Sequence, residues 1–224
     1  MAVVTEPSSP TACHHRTDDP IGRGARLVII RPYAPGDDDA LYDICLRTGD
    51  NGGDATGQFA DPRLLGEIFV GPYLRFEPSL AFVIDDGAPA GYVLGARDTV
   101  EFEAACEREW WPPLREKYPP GSFPAGTRDA HYVEVLHQRG TPDPAVVADY
   151  PAHLHIDLLP RAQGRGLGRG LIERLLTALH EAGAPGVHLG VGAANTRAIA
   201  FYERMGFRTL RRSPSGRTMG RPTT

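Results

Sequence analysis

Residues 152–183, AHLHIDLLPRAQGRGLGRGLIERLLTALHEAG, constrain the fold more than any other stretch of the chain. HLHIDLLP reads as a strand, RAQGRGLG as a glycine-rich turn, and RGLIERLLTALHEAG as a helix that stops at Gly183. A strand that enters a helix through such a turn is an anion-binding device. Its backbone N–H groups converge, and the helix dipole adds partial positive charge. Two common nucleotide signatures are excluded. No lysine stands where a Walker loop needs one, and Arg169 occupies the position of the third glycine of a dinucleotide fingerprint.

The rest of the chain supplies a mixed sheet for this unit. RLVIIRPY (26–33) predicts a largely buried strand, and PGDDDALYDICLRTG a helix with Asp37 to Asp39 as cap and first-turn carboxylates and Leu41, Ile44 and Cys45 on one face. DNGGDATG is a loop, followed by an apolar segment from Asp61 to Leu74. LAFVID (80–85) and AGYVLGAR (90–97) form a hairpin across DGAP. Residues 98–150 read as an insertion: VEFEAACEREWW is helical, Pro112-Pro113 interrupts it, HYVEVLHQ (131–138) alternates enough for a strand but is short enough for a helical turn as well, and Thr141 or Asp143 caps a short helix. After Gly183 come the strand GVHLGV, the helix NTRAIAFYERMGF and the strand FRTLRR. The expectation is a flexible tail over 1–25, which holds His14-His15, and a single domain over 26–224.

Composition narrows the function classes. The 224 residues carry a net charge of −4, so no global electrostatic case exists for nucleic acid or an anionic membrane, and no basic recognition helix is visible. The three cysteines, Cys13, Cys45 and Cys106, are widely spaced and predict neither a disulfide framework nor a cysteine zinc site. No apolar run reaches membrane-spanning length, and the first 25 residues lack a signal-peptide core, so a cytoplasmic protein is expected.

Gln163-Gly164-Arg165-Gly166-Leu167-Gly168 resembles the Q/R-x-x-G-x-G/A loop of the GCN5-related N-acetyltransferase (GNAT) superfamily. Asn195 and the run Phe201-Tyr202-Glu203-Arg204-Met205-Gly206-Phe207 resemble its second signature, N-x-x-A-x-x-F-Y-x-x-x-G-F. The resemblance implies the GNAT fold, of α/β (α+β) class: a mixed, mostly antiparallel sheet, splayed at the coenzyme A strand and flanked by helices. It also implies acetyl-CoA as co-substrate, with pantetheine on the backbone of Leu158 and Leu159, the pyrophosphate on Gln163 to Gly168, further charge from Arg165 and Arg169, and Asn195 in the second signature. No metal is implied, and dimers common in the superfamily make a homodimer compatible with it. RPYAPGDDDALYDICLRTGDNG, Ala90-Gly91-Tyr92-Val93-Leu94-Gly95, WWPPLREKYP and YPAHLHIDLLP are similar to the acetyltransferase-like C-terminal domain of eukaryotic O-GlcNAcases. That domain lacks the glycine loop and is regarded as a pseudo-acetyltransferase; the present chain keeps it.

Amine acetylation needs a neutral nucleophile and an acid for the departing thiolate. Tyr202 occupies the position that the superfamily gives to the acid. Along the strand, His153, His155 and Asp157 share one face by the period of two, which makes them candidates for a proton relay. Asp157 is the first expectation for base or amine anchor, and His155 the second. The acceptor site is expected beside the loop with Asp50, Asn51 and Asp54; Trp110, Trp111 and Tyr118 are candidates either for its walls or for core packing, while Arg211, Arg212 and Arg217 read as solvated surface. The leading functional expectation is direct transfer of acetyl from acetyl-CoA to an amine, small molecule or protein lysine, in a ternary complex. The alternative is a non-catalytic acyl-CoA-binding or interaction module.

Overall fold

The computed structural model describes residues 27–224; the tail with Cys13 and His14-His15 lies outside them. Strand β1 (Ile29–Pro32) leads to helix α1 (Asp38–Thr48), which buries Leu41, Ile44 and Cys45 and ends at Gly49. Asp37 stands at the N-cap but caps nothing, because its carboxylate takes the Arg31 guanidinium at 2.7 and 2.9 Å. Helices α2 (Leu64–Phe69) and α3 (Gly71–Phe76) follow, then the hairpin of β2 (Ala81–Asp85) and β3 (Pro89–Ala96). The insertion forms α4 (Thr99–Glu109), α5 (Trp111–Lys117), α6 (Arg128–His137) and α7 (Pro144–Val147). The chain continues through β4 (Ala152–Leu158), α8 (Leu167–Glu181), β5 (Gly186–Gly192), α9 (Thr196–Arg204), β6 (Arg208–Arg212) and β7 (Gly216–Pro222).

All these strands form one sheet in the order β1-β2-β3-β4-β5-β7-β6. Every neighbouring pair is antiparallel except β4 and β5, which run parallel and pair only at Ala152↔Val187 and His153↔His188. Beyond His153 the two strands part, while β4 stays paired to β3 as far as Leu158. This is the expected mixed sheet, open at the strand that leads into the glycine turn. Helix α8 packs Leu171, Ile172, Leu175 and Leu179 on one face of the sheet, and α1 packs with Tyr92 and Leu94 on the other.

Three local expectations are corrected or settled. The first strand is an edge strand, so Ile29 stays 42% exposed and Leu27 81%, and only its inward side is covered. HYVEVLHQ belongs to α6: Thr127 caps the Ala130 N–H, and Asp129, Val133 and Leu136 bury one helical face. Alternation over so few residues matches a helix that exposes every third or fourth position. Strand β7 was not foreseen, since its glycine, arginine and proline content lacks strand character, yet it inserts between β5 and β6. Pro112-Pro113 interrupts the helical run as expected: α4 stops at Glu109, and the prolines lie in the first turn of the next helix, α5, where a missing N–H costs no bond. Asp143 caps α7 as expected.

Candidate active site

Two cavities meet where β4 and β5 part. One, of about 530 Å3, runs past Gln163, Gly164, Gly166 and Gly168 toward Phe201 and Arg204 of α9. The other, of about 270 Å3, lies among Cys45 and Thr48 of α1, Phe69 of α2, Tyr132 of α6, and strands β4 and β5. Asp157, Asn195 and Tyr202 line both, which makes them the junction. A larger cavity of about 750 Å3 opens in the insertion and shares no lining residue with either.

The first branch suits an anion. Gly164 and Gly166 adopt φ of 73° and 76°, a left-handed geometry that disfavours other residues. Gly166 is the N-cap of α8 and no side chain caps the helix; the first bond of the ladder runs from Gly170 N to Gly166 O at 3.1 Å. The N–H groups of Leu167, Gly168 and Arg169 therefore stand at an uncapped helix start. A Cβ on Gly168 would meet only Phe201 at 3.5 Å and Leu158 at 3.7 Å, so its bare backbone leaves the cavity floor flat. Gly170 has a different role: a Cβ there would come within 2.8 Å of Ile30, so it serves helix-to-strand packing. Arg169, Arg197 and Arg204 line this branch, whereas Arg165 is exposed outside it.

The backbone accounting separates Leu158 from Leu159. Leu159 donates to Ala90 O at 2.9 Å and accepts from Ala162 N at 2.9 Å, and its side chain is 2% exposed, so none of its groups is free. The alternation of the ladder turns the backbone of Leu158 toward the gap, where its carbonyl accepts Gln163 Nε2 at 2.8 Å. Gln163 thus ties the turn to the end of the strand. Asn195 caps α9 by accepting the Ala198 N–H at 3.1 Å.

At the junction, Asp157 Oδ2 accepts the Tyr92 hydroxyl at 2.6 Å, and Tyr92 is fully buried. His155 Nε2 stands 3.0 Å from the same oxygen but is buried with no hydrogen bond, being off the line that one requires. The His155 ring stacks on Phe69, with centroids 5.7 Å apart at 17°. Cys45 completes the group: one donor atom each from Cys45, His155 and Asp157 lie within 4.8 Å of one another. Burial pushes the Cys45 thiol up, with the Asp157 charge adding to the rise. Burial, and then the charge of Asp157, also holds the Tyr202 phenol above its ordinary value, so it is protonated at neutral pH. His153 stands apart. Burial pushes it down to about 3, its Nδ1 bonds Thr99 Oγ1 at 2.8 Å, and it packs on Tyr73 and Phe102 rather than lining either cavity. The shared strand face is real, but it joins only His155 and Asp157 at the site.

The other candidate walls lie elsewhere. Trp111 is fully buried in the insertion core, Trp110 donates to Glu67 O at 2.9 Å, and Tyr118 donates to Asp61 at 2.7 Å. Asp50 pairs with Arg128 at 3.2 Å, and Asp54 caps Thr56 N at 2.8 Å; of that loop, Asn51 and Gly52 reach the cavities. Arg211 pairs with Asp143 at 3.0 Å on the surface. Sequence reasoning missed Cys45 as a site residue, and also Tyr92, Phe69 and Tyr132, which tertiary packing alone gathers. Buried Asp129 on α6 holds the loop ahead of α2 through the Ala60 and Asp61 N–H groups at 3.1 Å, which fixes Tyr132 against the second branch.

Comparison with known proteins agrees with this geometry. The Acetyltransferase (GNAT) family model matches residues 57–207. The crystal structure of SsHAT is 44% identical, with a TM-score of 0.81 over 88% of this chain and 98% of that one. Protein O-GlcNAcase of Rattus norvegicus is 27% identical across 84% of this chain, which spans only 21% of that relative's length. The [ribosomal protein bS18]-alanine N-acetyltransferase of Escherichia coli K12 is 41% identical over 78 residues, 34% of this chain and 53% of the relative.

Proposed function

The chain belongs to the acetyltransferase (GNAT) family, and from that premise we propose that it transfers acetyl directly from acetyl-CoA to an amine held in the second branch. Family membership implies acetyl-CoA use. The residues present fit that co-substrate: an uncapped helix start behind two left-handed glycines offers N–H groups to a pyrophosphate, and Arg169, Arg197 and Arg204 add positive charge. Leu158 presents backbone to the gap, while Leu159 serves the sheet. Acetyl-CoA supplies an activated acyl group with a thiolate as leaving group.

The observation that carries the reading is the placement of Tyr202 and Asp157 together where the branches meet. Tyr202, kept protonated by burial, holds a proton for the leaving sulfur. Asp157, oriented by the Tyr92 hydroxyl, accepts from an incoming ammonium group and draws off its proton. His155 offers a second buried nitrogen with no competing bond. Aromatic rings of Phe69 and Tyr132 exclude water on the acceptor side.

The test is release of free coenzyme A thiol from acetyl-CoA with a panel of amines, alongside calorimetric binding of acetyl-CoA. Amine-dependent release supports transfer. Tight binding without release to any amine would instead support the acyl-CoA-binding module.

A further inference from the structure

Cys45, His155 and Asp157 have a second chemical capacity. His155 and Asp157 stand two residues apart on β4, whereas Cys45 comes from α1, far away in sequence, which is why cysteine spacing gave no hint of the group. Their donor atoms, one each of sulfur, nitrogen and oxygen, fall within 4.8 Å of one another. In a tetrahedral zinc site the ligand atoms stand roughly 3.3–3.6 Å apart, so side-chain adjustments of about an ångström complete the set.

We propose that Cys45, His155 and Asp157 form a three-ligand site for a zinc-class divalent cation, which closes the acceptor branch when bound. Three observations converge on it. His155 Nε2 is buried and unbonded although a carboxylate oxygen lies 3.0 Å away, the state of a nitrogen whose partner belongs between the two groups. The carboxylate is held by a fully buried phenol, Tyr92, which donates at 2.6 Å to the oxygen nearest His155, the kind of outer hydrogen bond that metal-binding carboxylates receive. All three groups line the second branch, among whose described residues there is no lysine or arginine to repel a cation, and the cavity leaves the fourth position open.

The donor set selects the ion. A thiolate with an imidazole and a single carboxylate suits zinc rather than magnesium or calcium, which need several hard oxygens. Thiolate and carboxylate together neutralise a divalent charge in a poorly solvated place. Because burial keeps the metal-free Cys45 thiol protonated, binding releases that proton to solvent. The binding half of the proposal stands on this geometry alone; closure of the acceptor branch rests on the acetyl-transfer reading.

The test titrates metal-stripped, full-length protein with cobalt(II), a spectroscopic substitute for zinc, and follows thiolate-to-cobalt charge-transfer absorption. The expected band saturates at one cobalt per chain, is bleached by zinc, persists in Cys13→Ser and vanishes in Cys45→Ser. Since Cys45 is buried, its variant is checked by thermal melting. His155→Gln, at a half-buried position, is the second variant, expected to weaken cobalt binding about tenfold or more. Absence of the band, its survival in Cys45→Ser, unchanged affinity in His155→Gln, or its loss in Cys13→Ser would overturn the site. In the transfer assay, zinc is expected to compete with the amine and not with acetyl-CoA; zinc binding without inhibition would overturn the closure. If no amine supports transfer, the cobalt titration still decides the binding site, so the two readings fail separately.

Discussion

At the scale of single residues, the proposed transfer depends on one held proton, at Tyr202, and one positioned carboxylate, at Asp157. The Tyr202 hydroxyl makes no hydrogen bond to a described residue and faces the cavities, so Tyr202→Phe removes a proton donor while leaving the packing against Phe201 and Phe207. Its kcat is expected to fall about a hundredfold or more, with acetyl-CoA affinity by calorimetry unchanged. Tyr92 acts through another group. Tyr92→Phe frees Asp157 to swing and leaves its oxygen one bond short, which is expected to raise KM for the amine more than it lowers kcat. The same change costs about 1–3 kcal/mol of stability, read by denaturant titration. A fall in kcat alone would contradict this positioning role.

At the scale of elements, the glycine turn divides its labour by position. Gly166→Ala forces an alanine into φ of 76°, a cost of about 1–2 kcal/mol, so melting temperature and acetyl-CoA affinity should both fall. Gly168→Ala has ordinary contacts and no backbone strain, so its methyl group should weaken binding without lowering the melting temperature. Equal melting losses in the two variants would contradict the division. This turn was legible in the sequence because its chemistry is local: glycine where φ is positive, and no capping side chain ahead of α8. Tyr202 and Asn195 were expected from the second signature and Asp157 from the strand's period of two together with the resemblance, and all three line both cavities. Cys45, Tyr92, Phe69 and Tyr132 were not expected, because only packing brings α1, β3, α2 and α6 to the same few ångströms. Trp111 and Tyr118 of the insertion take the core-packing option, a choice that sequence leaves open because composition does not distinguish a core wall from a pocket wall.

At the scale of the whole molecule, the sheet carries both function and a pH liability. The fold sets a neutral histidine, His153, at the base of the splay, where β4 last pairs with β5. Thr99 spends its single hydroxyl proton on Pro151 O at 2.6 Å, so His153 Nδ1 must be the donor to Thr99 Oγ1. Burial, and then repulsion from His188, pushes His153 down to about 3, whereas the unfolded chain protonates near ~6.5. Between those values the unfolded state binds more protons, so stability is full above pH of about 6.5 and is lost as pH falls toward about 3. Denaturation midpoints measured across that window should fall less steeply for His153→Gln than for the wild-type chain; parallel curves would contradict the assignment. Among the described residues no helix is long and apolar enough to cross a membrane, and the net charge of −4 conceals three arginines gathered at the anion branch. The chain spans about a fifth of the length of the O-GlcNAcases it matches, so their activity as whole proteins does not extend to it by likeness.

The central claim is that the junction of the two branches is a working acetyl-transfer site. Thiol release from acetyl-CoA, measured against a panel of amines, tests it most directly. The account predicts release that depends on the amine and falls sharply in Tyr202→Phe. Saturable acetyl-CoA binding with no release above the amine-free rate, in every case, would contradict it.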